Sequence, residues 1–411
     1  MLDKSVLSQL SQLKSDIEAS KEYATGVVAG TNGRYGFVRM EDGRDAFLSP
    51  EKMDRVLAGD EVKVCLKENK EGKLEADLEK LITSPLRRFV GQYRVRGAGH
   101  FVVPIEEKSK RWIFLPPKSR KYTKDGEYVI SEMSQHPYKD GKAQARVVFR
   151  IGQPDEAYIE QKFIKAKYDL NQRSTNDLSS QLATVEDAFG KENFGECKDF
   201  THIPFVTIDS EATMDMDDAI AVKTLESGDY LLYVAIADPG SFITQGSSMA
   251  KSAQKAAQTV YLIGGSVPML PKRLSNYCFS LQQQKNRPAL VCSITISKNG
   301  DISQYEFHRG IINSRHKLSY NNVASFLEEK DTSSIPEDIQ SEIISLREVA
   351  KLRRAFRREH QLISVDQPDY DYQIDEHGKL ESIHFKPRNV SQQLVEEAMI
   401  ATNCCAGHFL A

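Results

Sequence analysis

The chain has 411 residues, with 55 lysine and arginine residues against 58 aspartate and glutamate residues, a formal net charge of −3. At roughly 150 residues per domain, this length predicts two or three domains, and the near-neutral average leaves the local distribution of charge to indicate any anionic partner. The longest apolar run, residues 230–237, is far shorter than the roughly 20 residues that a membrane-spanning helix needs, which excludes a span through a bilayer.

The cysteines and the N-terminal residues indicate the cellular compartment of the chain. Six cysteines are scattered along the sequence without a CxxC spacing. The first residues contain no apolar block of the kind that begins a signal peptide. Together these features predict a reducing, cytoplasmic setting and no membrane association.

Two series of short β-strands are predicted in the first part of the chain. Residues 2–21 carry leucines at helical spacing and predict one short amphipathic helix. From Tyr23 onward, strand-like runs alternate with turns at the spacing of a small barrel, and a second series of the same kind follows. We therefore predict two consecutive all-β, cold-shock-like OB barrels, the helix and first barrel in residues 1–84 and the second barrel in residues 85–173.

Residues 174–411 predict a third unit of the α+β class. The polar, helix-prone segment 174–195 has no strand pattern and is placed at the junction with this unit. Strand-like runs follow it, and a helical stretch is predicted over residues 336–360. The chain stops inside an apolar helical pattern near its C-terminus. Because no further element follows to cover that helix, we expect an incomplete unit and a chain that is a fragment.

The stretch TIDSEATMDMDDAIAV, residues 207–222, carries four aspartates within ten residues, behind an apolar lead-in. Packed carboxylates repel one another, and burial of an unpaired charge is costly, so the cluster needs a cation or bulk water. Oxygen ligands select hard divalent ions, which commonly hold phosphate oxygens during in-line displacement. The cluster therefore indicates phosphodiester or phosphomonoester chemistry. Its members are Asp209, Asp215, Asp217 and Asp218.

Two plainer interpretations of the cluster are a solvated acidic turn and a Ca²⁺ loop that only stabilises the fold. The loop lacks the regular oxygen spacing and the terminal glutamate of an EF-hand, because five residues separate Asp209 from Asp215. Strand-like runs on both sides of the loop favour aspartates held over the edge of a core, which weighs against a solvated turn.

The same stretch resembles the signature of the ribonuclease II and ribonuclease R family, the RNB exoribonucleases. Further matching phrases are VAIADP at 234–239, TVYLIGGSVPMLPKRLS at 259–275 and LVEEAMIATN at 394–403. The resemblance covers essentially the whole chain, since the two barrels match the family's cold-shock-like domains and the remainder matches the first part of its RNB catalytic domain.

What the resemblance implies is a 3′-to-5′ hydrolytic exoribonuclease that degrades single-stranded RNA processively to nucleoside 5′-monophosphates. Mg²⁺ is the implied cofactor, with Mn²⁺ as a substitute, and the expected oligomeric state is a monomer. Asp209 and Asp218 are then the principal metal ligands. Asp215 and Asp217 complete the acidic site, and Asp217 is essential for the hydrolytic step.

The resemblance also implies residues that contact RNA. Tyr261 matches an aromatic that packs against the 3′-terminal nucleotide. Tyr320 and Glu396 match positions that contact ribose, whose 2′-OH distinguishes RNA from DNA. In the first barrel, two strands resemble the paired cold-shock strands whose exposed aromatics stack on single-stranded bases. The aromatics concerned are Tyr35, Phe37 and Phe47.

Two departures limit what the resemblance implies. Ser364 stands where the family commonly has a phenylalanine that clamps the terminal bases, which would remove a stacking face worth about 1–3 kcal/mol per base. The family's arginine motif, a further glutamate and the C-terminal RNA-binding barrel do not occur in this sequence. The string TSPLRRF, residues 83–89, resembles that motif but lies between the barrels. Alternatives are therefore a catalytically inactive RNA-binding fragment or homologue, and an RNA chaperone whose acidic unit is structural.

Residues 86–124 form a strongly basic stretch, with eleven lysine and arginine residues against two glutamates. Aromatic residues are interleaved with the cations, as expected of a groove that follows phosphates while aromatic rings stack on bases. We assign two of these aromatics, Phe101 and Phe114, to the core of the second barrel. A further basic run at 351–360 fits a solvated helix face as well as an RNA contact.

Overall fold

The structure, a computed structural model, describes residues 21–31, 34–70, 72–105, 111–170, 178–360, 369–386 and 388–411. The predicted N-terminal helix, except for its last residue, and the departure at Ser364 lie outside the described residues. The chain divides into two compact units, Met1–Asn171 with Glu376–Lys379, and Gln172–Asp375 with Leu380–Ala411.

A closed five-stranded barrel begins the first unit, as the sequence predicts. Along its strands alternate side chains point inward, and Val38, Ala46 and Val62 are fully buried in the resulting core. A short helix, α1 (Pro50–Met53), connects the third strand to the fourth. The strands are β1 (Glu22–Gly30), β2 (Gly36–Met40), β3 (Asp45–Leu48), β4 (Glu61–Glu68) and β5 (Leu74–Thr83), in the order β1-β2-β3-β5-β4 around the barrel.

A second closed barrel follows in the same unit and has the same strand order. Phe89 and Tyr93 are buried in its core. The helix α2 (Ile159–Lys167) comes after the barrel and buries Ile159 against its strands. The strands are β6 (Arg88–Arg96), β7 (Gly99–Pro104), β8 (Ile113–Phe114), β9 (Tyr128–Gln135) and β10 (Gln144–Gly152), in the order β6-β7-β8-β10-β9 around the barrel.

The second unit contains a seven-stranded sheet and two hairpins. The strands of the sheet are β11 (Lys198–Asp199), β12 (Val206–Asp209), β13 (Asp218–Thr224), β14 (Tyr230–Ala237), β17 (Asn286–Ile296), β18 (Ile302–Asn313) and β19 (His316–Ser319). Their order in the sheet is β11-β18-β17-β14-β13-β12-β19, and β12 and β19 pair in parallel. The hairpins are β15 (Val260–Leu262) with β16 (Gly265–Val267), and β20 (Asp369–Ile374) with β21 (Leu380–Lys386).

Both faces of this sheet are covered, which explains the continuous apolar runs in its strands. On β13, Ile220 and Val222 join a core with the long helices, whereas Ala219 and Ala221 belong to the core on the opposite face. The predicted α+β class is confirmed. The helices are α3 (Ser179–Gly190), α4 (Ser248–Ala256), α5 (Tyr320–Ala324), α6 (Gln340–His360) and α7 (Val390–Leu410).

Helix α7 is the buried helix that the apolar pattern near the C-terminus predicts. Leu394 and Ala401 are buried against the sheet. The helix begins at a capping box, in which the Asn389 side chain accepts from the Gln392 N–H at 3.1 Å and the Gln392 side chain accepts from the Asn389 N–H at 3.2 Å. In the part of the chain that the structure describes, no helix is both long enough and apolar enough to cross a membrane.

Candidate functional site

The acidic loop, residues 209–218, lies where β12 and β13 diverge. Asp209 is the last residue of β12 and Asp218 is the first residue of β13. The two strands pair in antiparallel fashion at Val206 and Ile220. The charge of Asp217 acts on Asp209, and the charges of Asp217 and Asp209 act on Asp218, so carboxylates from both ends of the loop share one space.

Ser280 holds the acidic loop from one side. The Met216 N–H donates to the Ser280 hydroxyl at 3.2 Å, and that hydroxyl donates to the Met214 carbonyl at 2.8 Å. The Leu281 N–H donates to the Met216 carbonyl at 2.8 Å, and the Met216 side chain is buried. These contacts determine the conformation of the residue directly before Asp217.

Lys317 holds the acidic loop from the other side. It lies on β19, beside Thr207 of the parallel strand β12. Its Nζ donates to the carbonyl oxygens of Glu211 at 3.0 Å and Thr213 at 2.6 Å. The ammonium also lowers the pKa of Asp209, although burial and neighbouring charge outweigh it there. Lys317 therefore acts on the loop through both hydrogen bonds and charge.

Arg287 orders the segment that carries Ser280. Its guanidinium donates to the carbonyl oxygens of Ser280 at 3.0 Å and Tyr277 at 3.1 Å, and to Gln282 Oε1 at 3.1 Å. Burial lowers the pKa of Arg287, yet several acceptors satisfy its planar donor set. We infer that Arg287 is a positioning residue that acts on the acidic loop through Ser280.

Burial and mutual repulsion raise the pKa values of three of the aspartates. Burial, then the charge of Asp217, raises the pKa of Asp209 to about 6. Burial, then the charges of Asp217 and Asp209, raises the pKa of Asp218 to about 7. Asp217 has an exposed surface, yet partial desolvation of its carboxyl raises its pKa. The charge of Asp215 raises it further. The loop therefore concentrates negative charge that the fold alone does not neutralise.

The donor set fits a hard divalent cation. Asp209 Oδ2 is buried and has no hydrogen-bond partner, so a cation would satisfy an oxygen that the fold leaves unpaired. Among the described residues, no three histidine, cysteine, aspartate or glutamate side chains converge as a metal site. Mg²⁺ is compatible with this, because it is commonly bound by one or two carboxylates together with water and substrate phosphates. The assignment of Asp209 and Asp218 as ligands stays a prediction.

Two of the predicted tyrosines lie beside the acidic loop. Tyr320 is the first residue of α5, directly after β19. Burial, then the charges of Asp209 and Asp218, raises the pKa of Tyr320 to about 12. Tyr261 lies on β15 with 74% of its surface exposed. The pKa of Tyr261 is raised, mainly because its hydroxyl is partly buried. The charges of Asp215 and Asp217 make a smaller contribution in the same direction.

Glu396, the third predicted RNA-contacting residue of this unit, is exposed on α7. Its Oε2 lies 3.4 Å from Nη1 of Arg388. Near the start of the helix, the Ser391 hydroxyl donates to the Tyr320 carbonyl at 2.8 Å. A hydrogen bond thus connects α7 to Tyr320. Glu396 itself is in contact with Arg388.

The three aromatics predicted to bind bases in the first barrel form one cluster, the first aromatic face. Phe37 of β2 and Phe47 of β3 are paired in the strand register, with their ring centroids 6.0 Å apart. Tyr35 lies 5.9 Å from Phe37 and 5.8 Å from Phe47. All three rings are at least partly exposed.

An equivalent cluster, the second aromatic face, lies on the second barrel and corrects one prediction. Phe101 of β7 pairs in register with Phe114 of β8, as Phe37 pairs with Phe47. Phe101 lies 5.5 Å from Trp112 and 5.9 Å from Phe114 between ring centroids. Trp112 is 44% exposed and Phe114 is 37% exposed. The assignment of Phe101 and Phe114 to the barrel core was wrong.

Strand alternation explains the correction. Ile113 and Leu115 have no exposed surface, so Trp112 and Phe114, one residue away, point outward. The aromatics that do fill this core are Phe89 and Tyr93. The period-two pattern of residues 112–115 contained this signal. By contrast, no local pattern identifies Lys317, Ser280 or Arg287, which reach the acidic loop from distant segments.

Three protein families match the chain in the same order as the folded elements. The Ribonuclease B OB domain matches residues 26–81, the Cold shock domain matches residues 101–173, and the RNB domain matches residues 197–411. The RNB match alone covers more than half of the chain. The chain belongs to the RNB domain family.

Curated relatives are similar over almost the whole chain. Exoribonuclease 2 of Sodalis glossinidius (strain morsitans) is 33% identical over 406 residues, which cover 98% of this chain and 62% of the relative. Exoribonuclease 2 of Proteus mirabilis (strain HI4320) is 32% identical over 410 residues, with the same two shares. The chain thus spans less than two thirds of the length of these relatives.

A solved structure shows the same fold. The apo form of Mycoplasma genitalium RNase R superimposes with a TM-score of 0.80 at 24% identity, over 92% of this chain and 60% of that chain. At this identity the similarity concerns the fold alone. It confirms two OB-type barrels followed by an RNB domain.

Proposed function

We propose that the chain carries the RNA-binding barrels and the metal-binding aspartates of a 3′-to-5′ hydrolytic exoribonuclease. Its substrate would be single-stranded RNA, degraded processively to nucleoside 5′-monophosphates with Mg²⁺ as cofactor. Family membership and the relatives named Exoribonuclease 2 support the reaction class. The observation that carries the proposal is the acidic loop, with its unpaired Asp209 oxygen and its raised aspartate pKa values.

In this proposal the aspartates have different tasks. Asp209 and Asp218 hold the cation, since they are the carboxylates at the ends of two rigid strands. When bound, Mg²⁺ supplies positive charge that stabilises negative charge developing on the phosphodiester. Asp217 is exposed beside Asp209 and has a raised pKa, so its carboxylate is suited to accept a proton from the attacking water. Asp215 adds negative charge to the same space.

Two tyrosines would orient the 3′ end of the RNA. The exposed ring of Tyr261 offers a face on which a base can stack. Because its pKa is about 12, the Tyr320 hydroxyl stays protonated at neutral pH and can donate a hydrogen bond to ribose. Glu396 remains a predicted ribose contact. Its ion pair with Arg388 would have to break before it could bind ribose.

The two aromatic faces would hold the RNA upstream of its 3′ end. Aromatic rings on barrel strands bind bases without sequence preference, since every base has a π-face. Mycoplasma genitalium RNase R, which shares this fold, has been solved in complex with ribose-methylated single-stranded RNA. We expect Tyr35, Phe37 and Phe47 in the first barrel, and Phe101, Trp112 and Phe114 in the second, to contribute to RNA affinity.

The test is turnover of a 5′-labelled single-stranded RNA with Mg²⁺ present. We expect stepwise shortening from the 3′ end and release of nucleoside 5′-monophosphates. Asp217→Asn should abolish shortening while keeping RNA affinity. Glu211→Gln is the matched control, because it removes one exposed carboxylate from the same loop and should leave turnover unchanged.

One observation supports the alternative of RNA binding without turnover. Among the described residues, the cationic side chain that donates to the acidic loop is Lys317. Its Nζ already donates to two carbonyl oxygens, so it is poorly placed to neutralise a scissile phosphate. A chain that binds single-stranded RNA tightly but never shortens it, with either Mg²⁺ or Mn²⁺, would establish this alternative. A chain that binds no single-stranded RNA would contradict both functions.

A further inference from the structure

The two barrels have equivalent connectors between their third and fourth strands. The first connector is residues 49–60 and the second is residues 116–127. The second-to-last residue of each is a glycine with positive φ, 92° at Gly59 and 88° at Gly126. A buried acidic residue follows each glycine, Asp60 in the first barrel and Glu127 in the second. The connectors can therefore be compared position by position.

Hydrogen bonds confirm the equivalence. Asp60 Oδ2 accepts from the N–H three residues earlier, that of Leu57, at 2.7 Å. Glu127 Oε2 accepts in the same way from the Lys124 N–H at 2.8 Å. Both connectors thus form the same turn onto the fourth strand, although their side chains differ in chemistry.

The two connectors differ in side-chain burial at the equivalent positions just before this turn. Val56 and Leu57 of the first connector are each 2% exposed. The corresponding residues of the second connector are Thr123 and Lys124. The position before them is occupied by Tyr122, whose surface is 98% exposed. A fully exposed aromatic ring contributes nothing to packing, so the fold does not explain its presence.

The backbone that presents Tyr122 is strained and well held. Lys121 and Tyr122 have positive φ angles of 46° and 55°, a conformation that costs a non-glycine residue free energy. Lys121 Nζ donates to the Val148 carbonyl at 2.7 Å, and the Thr123 N–H donates to the Arg120 carbonyl at 3.0 Å. Strain maintained at an exposed aromatic is the kind of outlier from which a functional role can be inferred.

The same connector is rich in positive charge. Lys118 and Lys124 are exposed, and neither takes part in an ion pair with another described residue. Arg120 and Lys121 donate to carbonyl oxygens and not to carboxylates. Residues 116–125 contain one acidic residue, Asp125. Its Oδ1 accepts a hydrogen bond from the Val95 N–H at 2.8 Å. Lys118 and Lys124 therefore lie on either side of Tyr122 in the sequence, with exposed ammonium groups outside the ion pairs of the described residues.

We propose that the second connector is an RNA-binding element in its own right. Tyr122 stacks on a base of single-stranded RNA, and Lys118 and Lys124 bind the flanking phosphates. The connector follows β8, which carries Phe114, so it extends the second aromatic face along the chain. This inference rests on the proposed function, since it assumes that single-stranded RNA is the ligand.

The first test measures the affinity of the whole chain for single-stranded RNA by fluorescence anisotropy, with a chelator present to prevent turnover. Tyr122→Ala should weaken binding about 5- to 140-fold, the range expected for loss of one stacked base. Tyr122→Phe should bind as the wild type does. Tyr168→Ala is the matched control, because Tyr168 is also exposed in this unit, at 62%, and lies outside the connector.

The second test concerns the two lysines. K118A/K124A should weaken binding and make the slope of log K against log salt concentration shallower by about 1.4, or about 0.7 for each lost phosphate contact. The double variant K63A/K80A removes the same charge from neighbouring positions on β4 and β5 and should leave the slope nearly unchanged. With heparin as ligand, K118A/K124A should again weaken binding, whereas Tyr122→Ala should not.

The outcomes separate the two levels of the proposal. If the wild type binds no single-stranded RNA, the proposed function and this inference both fail. If the wild type binds but the Tyr122→Ala and K118A/K124A variants bind equally well, the inference alone fails, and the connector then serves another partner such as a protein. Tyr122→Gly relieves the positive φ, so a variant that melts at a higher temperature yet binds RNA less tightly would show that the strain serves binding and not folding.

Discussion

Lys317 Nζ lies 2.6 Å from the carbonyl oxygen of Thr213, which is 104 residues earlier in the sequence. This contact connects the parallel strand β19 to the middle of the acidic loop. The position of the loop over the sheet thus depends on a side chain from another strand, and not on the loop's own residues alone.

Lys317→Met should therefore loosen the acidic loop. We expect the free energy of unfolding to fall by about 1.5–3 kcal/mol, the range for hydrogen bonds from a charged group. The apparent Mg²⁺ affinity measured by calorimetry should fall as well, because the aspartates lose their fixed spacing. Lys223→Met, at an exposed position on β13, is the control. Equal Mg²⁺ affinity in the wild type and Lys317→Met would contradict the positioning role.

The chelated protein should lose stability as the pH rises from about 4 to about 7. The folded-state pKa values of Asp209, about 6, and Asp218, about 7, lie above the unfolded value of about 4. The folded state therefore binds more protons in this window, so the stabilisation is complete below pH 4 and lost above pH 7. Each such proton gives a slope of up to about 1.4 kcal/mol per pH unit.

Urea unfolding at several pH values in a chelator measures this slope. The D209N/D218N double variant should show a flatter profile, since it lacks both carboxyls. Mg²⁺ competes with protons for the same oxygens, so its stabilising effect on the wild type should grow across the same window. A Mg²⁺ effect that is independent of pH would count against Asp209 and Asp218 as ligands.

The two kinds of aromatic residue in the second barrel should respond differently to truncation. Phe89→Ala should destabilise the protein by about 3–5 kcal/mol, because the ring is buried in the core. Trp112→Ala should change stability little but weaken single-stranded RNA binding by about 1–3 kcal/mol. Thermal unfolding and RNA anisotropy on the same samples distinguish the two effects. If Trp112→Ala lost as much stability as Phe89→Ala, the assignment of Trp112 to an exposed RNA-binding face would be contradicted.

Tyr320→Phe tests the proposed ribose contact. Removing the hydroxyl leaves the ring, so packing against α7 should persist and the melting temperature should hardly change. We expect the preference for RNA over DNA of the same sequence to fall by about tenfold, the equivalent of one hydrogen bond of about 1.4 kcal/mol. Competition binding measures this ratio. A ratio that stays at the wild-type value would show that Tyr320 does not contact the 2′-OH.

The strand β5 shows where local pattern was insufficient. Its sequence, LEADLEKLIT, has leucines at 74, 78 and 81 and many residues with high helix propensity. It is nevertheless a strand, because it closes the first barrel by pairing with both β4 and β3. Closure satisfies backbone groups that two edge strands would leave exposed, and that gain outweighs local propensity.

Strand alternation, helical periodicity and a short charged loop are all local properties, so the buried helix α7, the four clustered aspartates and the strands of the two barrels other than β5 could be predicted from the sequence. The contacts by which Lys317 and Ser280 hold that loop, and the burial that raises the pKa of Asp218 to about 7, follow from the tertiary structure alone. Each of these depends on which distant segments pack together. Packing and burial are set by the whole fold, so no local pattern contains them.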